Sequence, residues 1–270
     1  MSMQRDPDGR RSVRVEVEVP GTPEQVWQAI ATGPGISAWF VPTKVDGREG
    51  GEVVSDFGGG MISTAKITAY EPPFRLAAEA PGWTPGMPTM ATEWTVEARR
   101  GGTCVVRVVH SLFASTDDWD QQLEGTESGW PSFFRVLVRY LRHFAGQPSA
   151  LVQASATTQA PVGTAWPALL TAMGGQPRPG QRLSLAIAPN TVLAGKVDRV
   201  DDLGHGFNVE VLLEQPTSGT MLAGAYACGG TMVQVSAYMY GSDAERSAAL
   251  VRQHLAPWLT ARFPAPAAGG

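Results

Sequence analysis

The chain has 270 residues, of which 43% are hydrophobic and only 17% charged, with 31 glycines and 21 prolines. That balance excludes a disordered or fibrous protein and describes soluble, folded domains joined by many turns. The formal net charge is −4, and the 18 arginines and three lysines are scattered, so the clustered basic surface a nucleic-acid partner requires is absent. No stretch approaches the roughly 20 apolar residues of a membrane helix, and residues 1–11 are polar; neither membrane insertion nor export is expected, and the expected location is cytoplasmic.

Val13, Val15, Val17 and Val19 alternate with Arg14, Glu16 and Glu18, the period of a strand with one buried face. Thr22 precedes Pro23 and Gln25, a capping box with proline at the first helical position, and Val26, Trp27 and Ile30 form the stripe of a short helix. Gly33-Pro34-Gly35 is expected to stop it, and residues 36–40 to make a second helical turn ending in Trp39-Phe40. Strands are then expected at 51–57, 61–70, 74–80, 90–99 and 103–113. They are punctuated by Gly58-Gly59-Gly60, Glu71-Pro72-Pro73, the Pro/Gly-rich stretch 81–88 and Arg100-Gly101-Gly102. These are hairpin spacings rather than crossovers.

Trp130, Phe134, Leu137, Leu141 and Phe144 follow at steps of four, three, four and three, one face of a helix that must cover something apolar. Pro131 fits that helix if its regular turns begin near Ser128, where the first N–H groups have no partner anyway.

After Gly146-Gln147-Pro148-Ser149 the plan repeats. A strand at 150–159, a helix carrying Trp166 and strands at 182–188, 191–200, 207–213, 220–228 and 231–240 lead to a last helix with Leu250, Val251, Leu255, Trp258 and Leu259. Ser242-x-x-Glu245 should cap that helix and Pro257 should bend it. The chain therefore reads as a duplication, with domains at 12–146 and 150–264.

A strand, two short helices, an antiparallel sheet and a long closing helix form the plan of the helix-grip fold. The first repeat resembles the SRPBCC, or START-like, superfamily, and within it the group related to the activator of the heat-shock-protein ATPase. The resemblance is carried by Thr22-Pro23-Glu24-Gln25-Val26-Trp27, Trp39-Phe40, Gly50-Gly51, Gly60, Glu71-Pro72-Pro73 with Arg75-Leu76, Thr92-Glu93-Trp94 and Gly129-Trp130. The second repeat lacks the Trp-Phe pair and the Pro-Pro turn. What the resemblance implies is an α+β class, a curved antiparallel sheet wrapped around a long C-terminal helix, in two tandem copies, with a hydrophobic cavity between sheet and helix. Carriers, cyclases and co-chaperones share this superfamily, so the resemblance does not imply a reaction.

The expected partner is a small hydrophobic molecule, with a homodimer left open. Candidate ligand-binding residues are Trp39, Phe57, Trp83, Trp94, His110, Phe113, Phe133 and Leu137, whereas Trp27 and Trp130 read as scaffold. His110, at a strand end, is more readily a hydrogen-bonded bystander than a catalyst. Rival readings are a tandem cyclase or aromatase, with Glu79, Glu93 or His110 moving protons, and a chaperone-ATPase accessory protein. No catalytic residue is assigned. His143, His205 and His254 have no companion at ligand spacing, so no metal and no cofactor are expected. Gly58-Gly59-Gly60 and Gly229-Gly230 lack the following helix and lysine of a phosphate loop. Cys104 and Cys228 read as reduced, buried strand residues.

Overall fold

In the computed structural model, which describes residues 4–5, 11–58, 60–82, 88–112, 120–227 and 230–265, the valine alternation becomes strand β2 (Arg11–Pro20). Val13, Val15 and Val19 face inward while Arg14, Glu16 and Glu18 face solvent. The two-residue β1 (Gln4–Arg5) pairs with the start of β2. Helix α1 (Pro23–Ile30) begins with the expected capping box: the Gln25 N–H donates to Thr22 Oγ1, and Gln25 Oε1 accepts from the Thr22 N–H.

Gly33-Pro34-Gly35 opens a second helix as well as ending the first. Helix α2 (Gly33–Ser37) is capped by Thr32, whose Oγ1 accepts from the Gly35 N–H at 3.1 Å. Gly35 is required there because a Cβ would stand 1.9 Å from the Gln28 carbonyl oxygen.

Strands β3 (Thr43–Val45), β4 (Glu52–Asp56), β5 (Ile62–Glu71), β6 (Arg75–Ala80), β7 (Met90–Arg99) and β8 (Thr103–Leu112) follow as hairpins. With β1 and β2 they form one antiparallel sheet, in the order β1-β2-β8-β7-β6-β5-β4-β3. Helix α3 (Asp120–His143) packs along β2 and buries Trp130, Phe134, Val136, Leu137 and Tyr140. It starts eight residues earlier than Ser128 and carries Pro131 inside it. The proline is exposed; it removes the bond an N–H at 131 would have made to the Glu127 carbonyl, and its ring crowds that carbonyl.

The chain divides into two compact units, residues 1–145 and 146–270. The second contains β9 (Ser149–Thr158), α4 (Val162–Ala172), β10 (Arg182–Ala188), β11 (Thr191–Asp202), β12 (Gly206–Gln215), β13 (Gly219–Ala227), β14 (Thr231–Tyr240) and α5 (Ala244–Arg262). Its sheet order is β10-β11-β12-β13-β14-β9. The opening strand pairs with the last one, as β2 pairs with β8 in the first unit, so both halves share the helix-grip topology. Helix α5 does not use the Ser242–Glu245 capping box. It begins after Asp243, whose carboxylate takes Arg246 at 2.8 Å rather than a backbone N–H. Pro257 lies within α5.

Cys104 is buried on β8 with its thiol reduced, and its Sγ donates to the Gly21 carbonyl; Cys228 lies outside the described residues. No helix of the described residues is long and apolar enough to cross a membrane.

Leu137 is fully buried where α3 meets the sheet. Leu137→Ala should lower stability by about 2–5 kcal/mol, read as a lower urea midpoint of tryptophan fluorescence; an unchanged midpoint would mean the helix is not anchored there.

Candidate functional site

Between α3 and the sheet of the first unit lies a cavity of about 420 Å³. Its floor includes small side chains on alternating strand positions, Ser55 on β4, Ser63 and Ala65 on β5, Ala78 and Ala80 on β6, beside the larger Val53, Leu76 and Met90. Its walls are aromatic and aliphatic: Ile36, Phe40, Phe57, Met61, Trp94, Trp130 and Phe133. Small residues below and bulky ones around the rim leave a space that their side chains do not fill.

The aromatic rings brace one another. Phe40 lies nearly parallel to Trp130 at 5.1 Å between centroids and meets Phe133 edge-on at 4.7 Å. Trp94 stands edge-on to Trp130 at 5.2 Å. Such contacts hold large side chains open around a void rather than letting them collapse into it.

Four of the expected residues, Phe57, Trp94, His110 and Phe133, line the cavity. Trp39 and Leu137 do not. Trp39 is fully buried and turned back toward α1, where its Nε1–H donates to the Ala29 carbonyl at 2.9 Å; its neighbour Phe40 takes the wall position. Leu137 lies one turn beyond Phe133, inside the seal between helix and sheet. Trp83 and Phe113 lie outside the described residues. Trp130, read from the sequence as scaffold, is both buried and a wall of the cavity.

Thr92 was absent from the expected set, although its position two residues before Trp94 on β7 puts both on one face. The same alternation turns Glu93 to the other face, where Arg75 holds it at 2.8 Å and also binds Glu71. Glu79 is exposed on β6. The carboxylates that a cavity acid–base pair would need therefore lie on the far side of the sheet.

His110 is the polar centre. It is 5% exposed and paired in register with Val13 and Thr92. The Trp130 Nε1–H donates to His110 Nε2 at 2.8 Å, and Nδ1 lies 2.9 Å from Thr92 Oγ1. An indole N–H can only donate, so Nε2 carries no proton and the neutral ring holds its proton on Nδ1, which donates to Thr92. Burial pushes the imidazole pKa down from 6.5 to about 4, because a charged ring would lose its hydration without gaining a counter-ion.

The inner side of the second unit's sheet carries bulkier residues. Trp166, Leu169, Leu170 and Met173, strand residues including Leu183, Leu185, Val209, Val211 and Leu213, and Val251, Leu255 and Leu259 of α5 form one buried cluster. No cluster of metal-ligating side chains occurs among the described residues.

Residues 20–142 match the profile of the family described as activator of Hsp90 ATPase homolog 1-like protein. That match lies within the first unit and covers less than half of the chain; the second unit repeats the helix-grip order of strands and closing helix. No curated protein sequence matches it. Among solved structures, DynU16, a protein of the dynemicin biosynthetic locus, is 18% identical over 93% of this chain and 95% of its own, with a TM-score of 0.44. The di-domain ARO/CYC BexL of the BE-7585A biosynthetic pathway is 16% identical over 91% and 93%, with a TM-score of 0.44. CalU16 from Micromonospora echinospora is 23% identical over 52% of this chain and 80% of its own, with a TM-score of 0.42.

For this helix-grip unit the buried imidazole sets a pH dependence. The unfolded chain binds a proton at His110 below about pH 6.5, which the folded chain refuses until about pH 4. The stability associated with His110 is therefore complete above pH 6.5 and falls by about 3 kcal/mol as the pH drops to 4. His110→Gln should flatten that part of the stability profile in urea titrations between pH 7 and 4.5; parallel profiles for the two proteins would contradict a buried, neutral ring.

Proposed function

We propose that the first unit binds a small apolar molecule between its sheet and α3, without catalysing its conversion, and that the second unit serves as a filled structural partner. The observation that carries this reading is the aromatic-walled cavity, with no charged side chain among its described lining residues. Its volume falls in the range of small-molecule sites, roughly 300–1,000 Å³. An apolar guest of matching size gains by leaving water and by contacting rings already held in place, so little ordering cost opposes binding.

The catalytic alternative needs an acid–base pair at the cavity. Both ring nitrogens of His110 are engaged by Trp130 and Thr92, and Glu79 and Glu93 face away from the cavity. Among the described residues, these three candidates for moving protons are thus committed to structure or placed on the other face of the sheet.

Diphenylhexatriene, a neutral hydrocarbon that fluoresces on leaving water, tests the reading. The protein should take up about one molecule per chain. Ala78→Trp, which fills the cavity floor, should weaken uptake by more than about tenfold while circular dichroism shows the fold retained. Absence of uptake by the unaltered protein, or equal uptake by a folded Ala78→Trp variant, would refute the proposal.

A further inference from the structure

We propose that the guest is a neutral, ring-bearing molecule that presents one acceptor oxygen, a carbonyl or ether, to the Thr92 hydroxyl. This rests on the binding reading above and specifies its ligand class.

The argument follows the protons. Trp130 gives its only N–H to His110 Nε2, and His110 gives its Nδ1 proton to Thr92 Oγ1. Thr92 is thereby the acceptor in its bond to His110 and keeps its own hydroxyl proton. Thr92 lines the cavity, in register with the buried Ala78 on one side and His110 on the other. Its hydroxyl makes no other hydrogen bond among the described residues. An O–H facing apolar space is costly until something accepts from it, and the chain of donors behind it strengthens its pull.

The other hydroxyls do not duplicate this role. Thr43 Oγ1 donates to the Val41 carbonyl at 2.9 Å, so in its 3.1 Å contact with Ser55 the serine is the donor. Ser55 therefore offers the cavity only lone pairs. Ser63 lies next to Met61 and Ile62, both more than half exposed, at the end of the cavity that solvent reaches.

Charge and shape narrow the class further. A carboxylate or ammonium would be buried with no counter-ion among the described lining residues. The Phe40, Trp94 and Trp130 rings offer stacked and edge-on surfaces, which favour flat rings over flexible chains.

The test compares three probes on the unaltered protein, Thr92→Val and Thr92→Ser. They are diphenylhexatriene, the neutral ketone 6-propionyl-2-(dimethylamino)naphthalene, whose emission reddens when its carbonyl accepts a hydrogen bond, and 2-naphthoate at pH 7. The ketone should bind. Thr92→Val should lower its affinity about fivefold more than that for the hydrocarbon and shift its bound emission to the blue, and Thr92→Ser should restore both. Naphthoate should bind far more weakly than the ketone. Equal losses for ketone and hydrocarbon in Thr92→Val with unchanged emission, or naphthoate binding as tightly as the ketone, would overturn the proposal while leaving the cavity reading intact. Failure of the unaltered protein to bind even the hydrocarbon would remove the cavity reading and the proposal together.

Discussion

The hydrogen bond from the Trp130 indole to His110 Nε2 joins the closing helix to the sheet. It has one direction only, since indole nitrogen cannot accept. In a ring that burial keeps neutral, that single fact fixes the tautomer of His110 and makes Thr92 an acceptor toward the imidazole. It also holds the indole by its edge, with the imidazole and indole planes within 19° of each other. A tryptophan held in that way forms a wall and cannot swing into the space beside it.

The two units show how little separates a hollow from a core on one topology. In the first unit β2 pairs with β8, in the second β9 pairs with β14, and in each a long helix follows the final strand. In the first unit the strands beneath the helix present Ser55, Ser63, Ala65, Ala78 and Ala80. In the second, β10 and β12 turn Leu183, Leu185, Val209, Val211 and Leu213 inward, and branched side chains occupy the volume that alanines and serines leave open. Strand order is shared; the size of the inward residues on equivalent strands is not.

Much of this architecture was legible in the chain. Alternation placed strands at 90–99 and 231–240 at the positions β7 and β14 occupy, because strand periodicity and glycine-marked turns are both local signals. The closing helix was less well read. Pro131 suggested a start near Ser128, yet α3 begins at Asp120 and continues through the proline, despite the lost N–H and the crowding of the Glu127 carbonyl that an interior proline brings. The Ser242–Glu245 motif had the spacing of a cap, yet the chain enters α5 one residue later and the motif is unused.

The candidate site was legible by face but not by depth. Trp94 and His110, named from the sequence among the candidate ligand-binding residues, both reach the cavity. Periodicity could not say that Trp39 would turn back to bond the Ala29 carbonyl and leave Phe40 at the wall. Nor does any pattern within one strand reveal that Trp130, Thr92 and His110 meet. Their link joins three elements, and only tertiary packing brings it about.

Xenon enters dry apolar cavities and scatters strongly, which makes a xenon-pressurised crystal the most direct measurement of the central claim. The account predicts xenon density in the first unit between Trp94, Phe133 and Ala78, and none beneath α5 in the second. Side chains closed over that space in the first unit, with no xenon there, would contradict it.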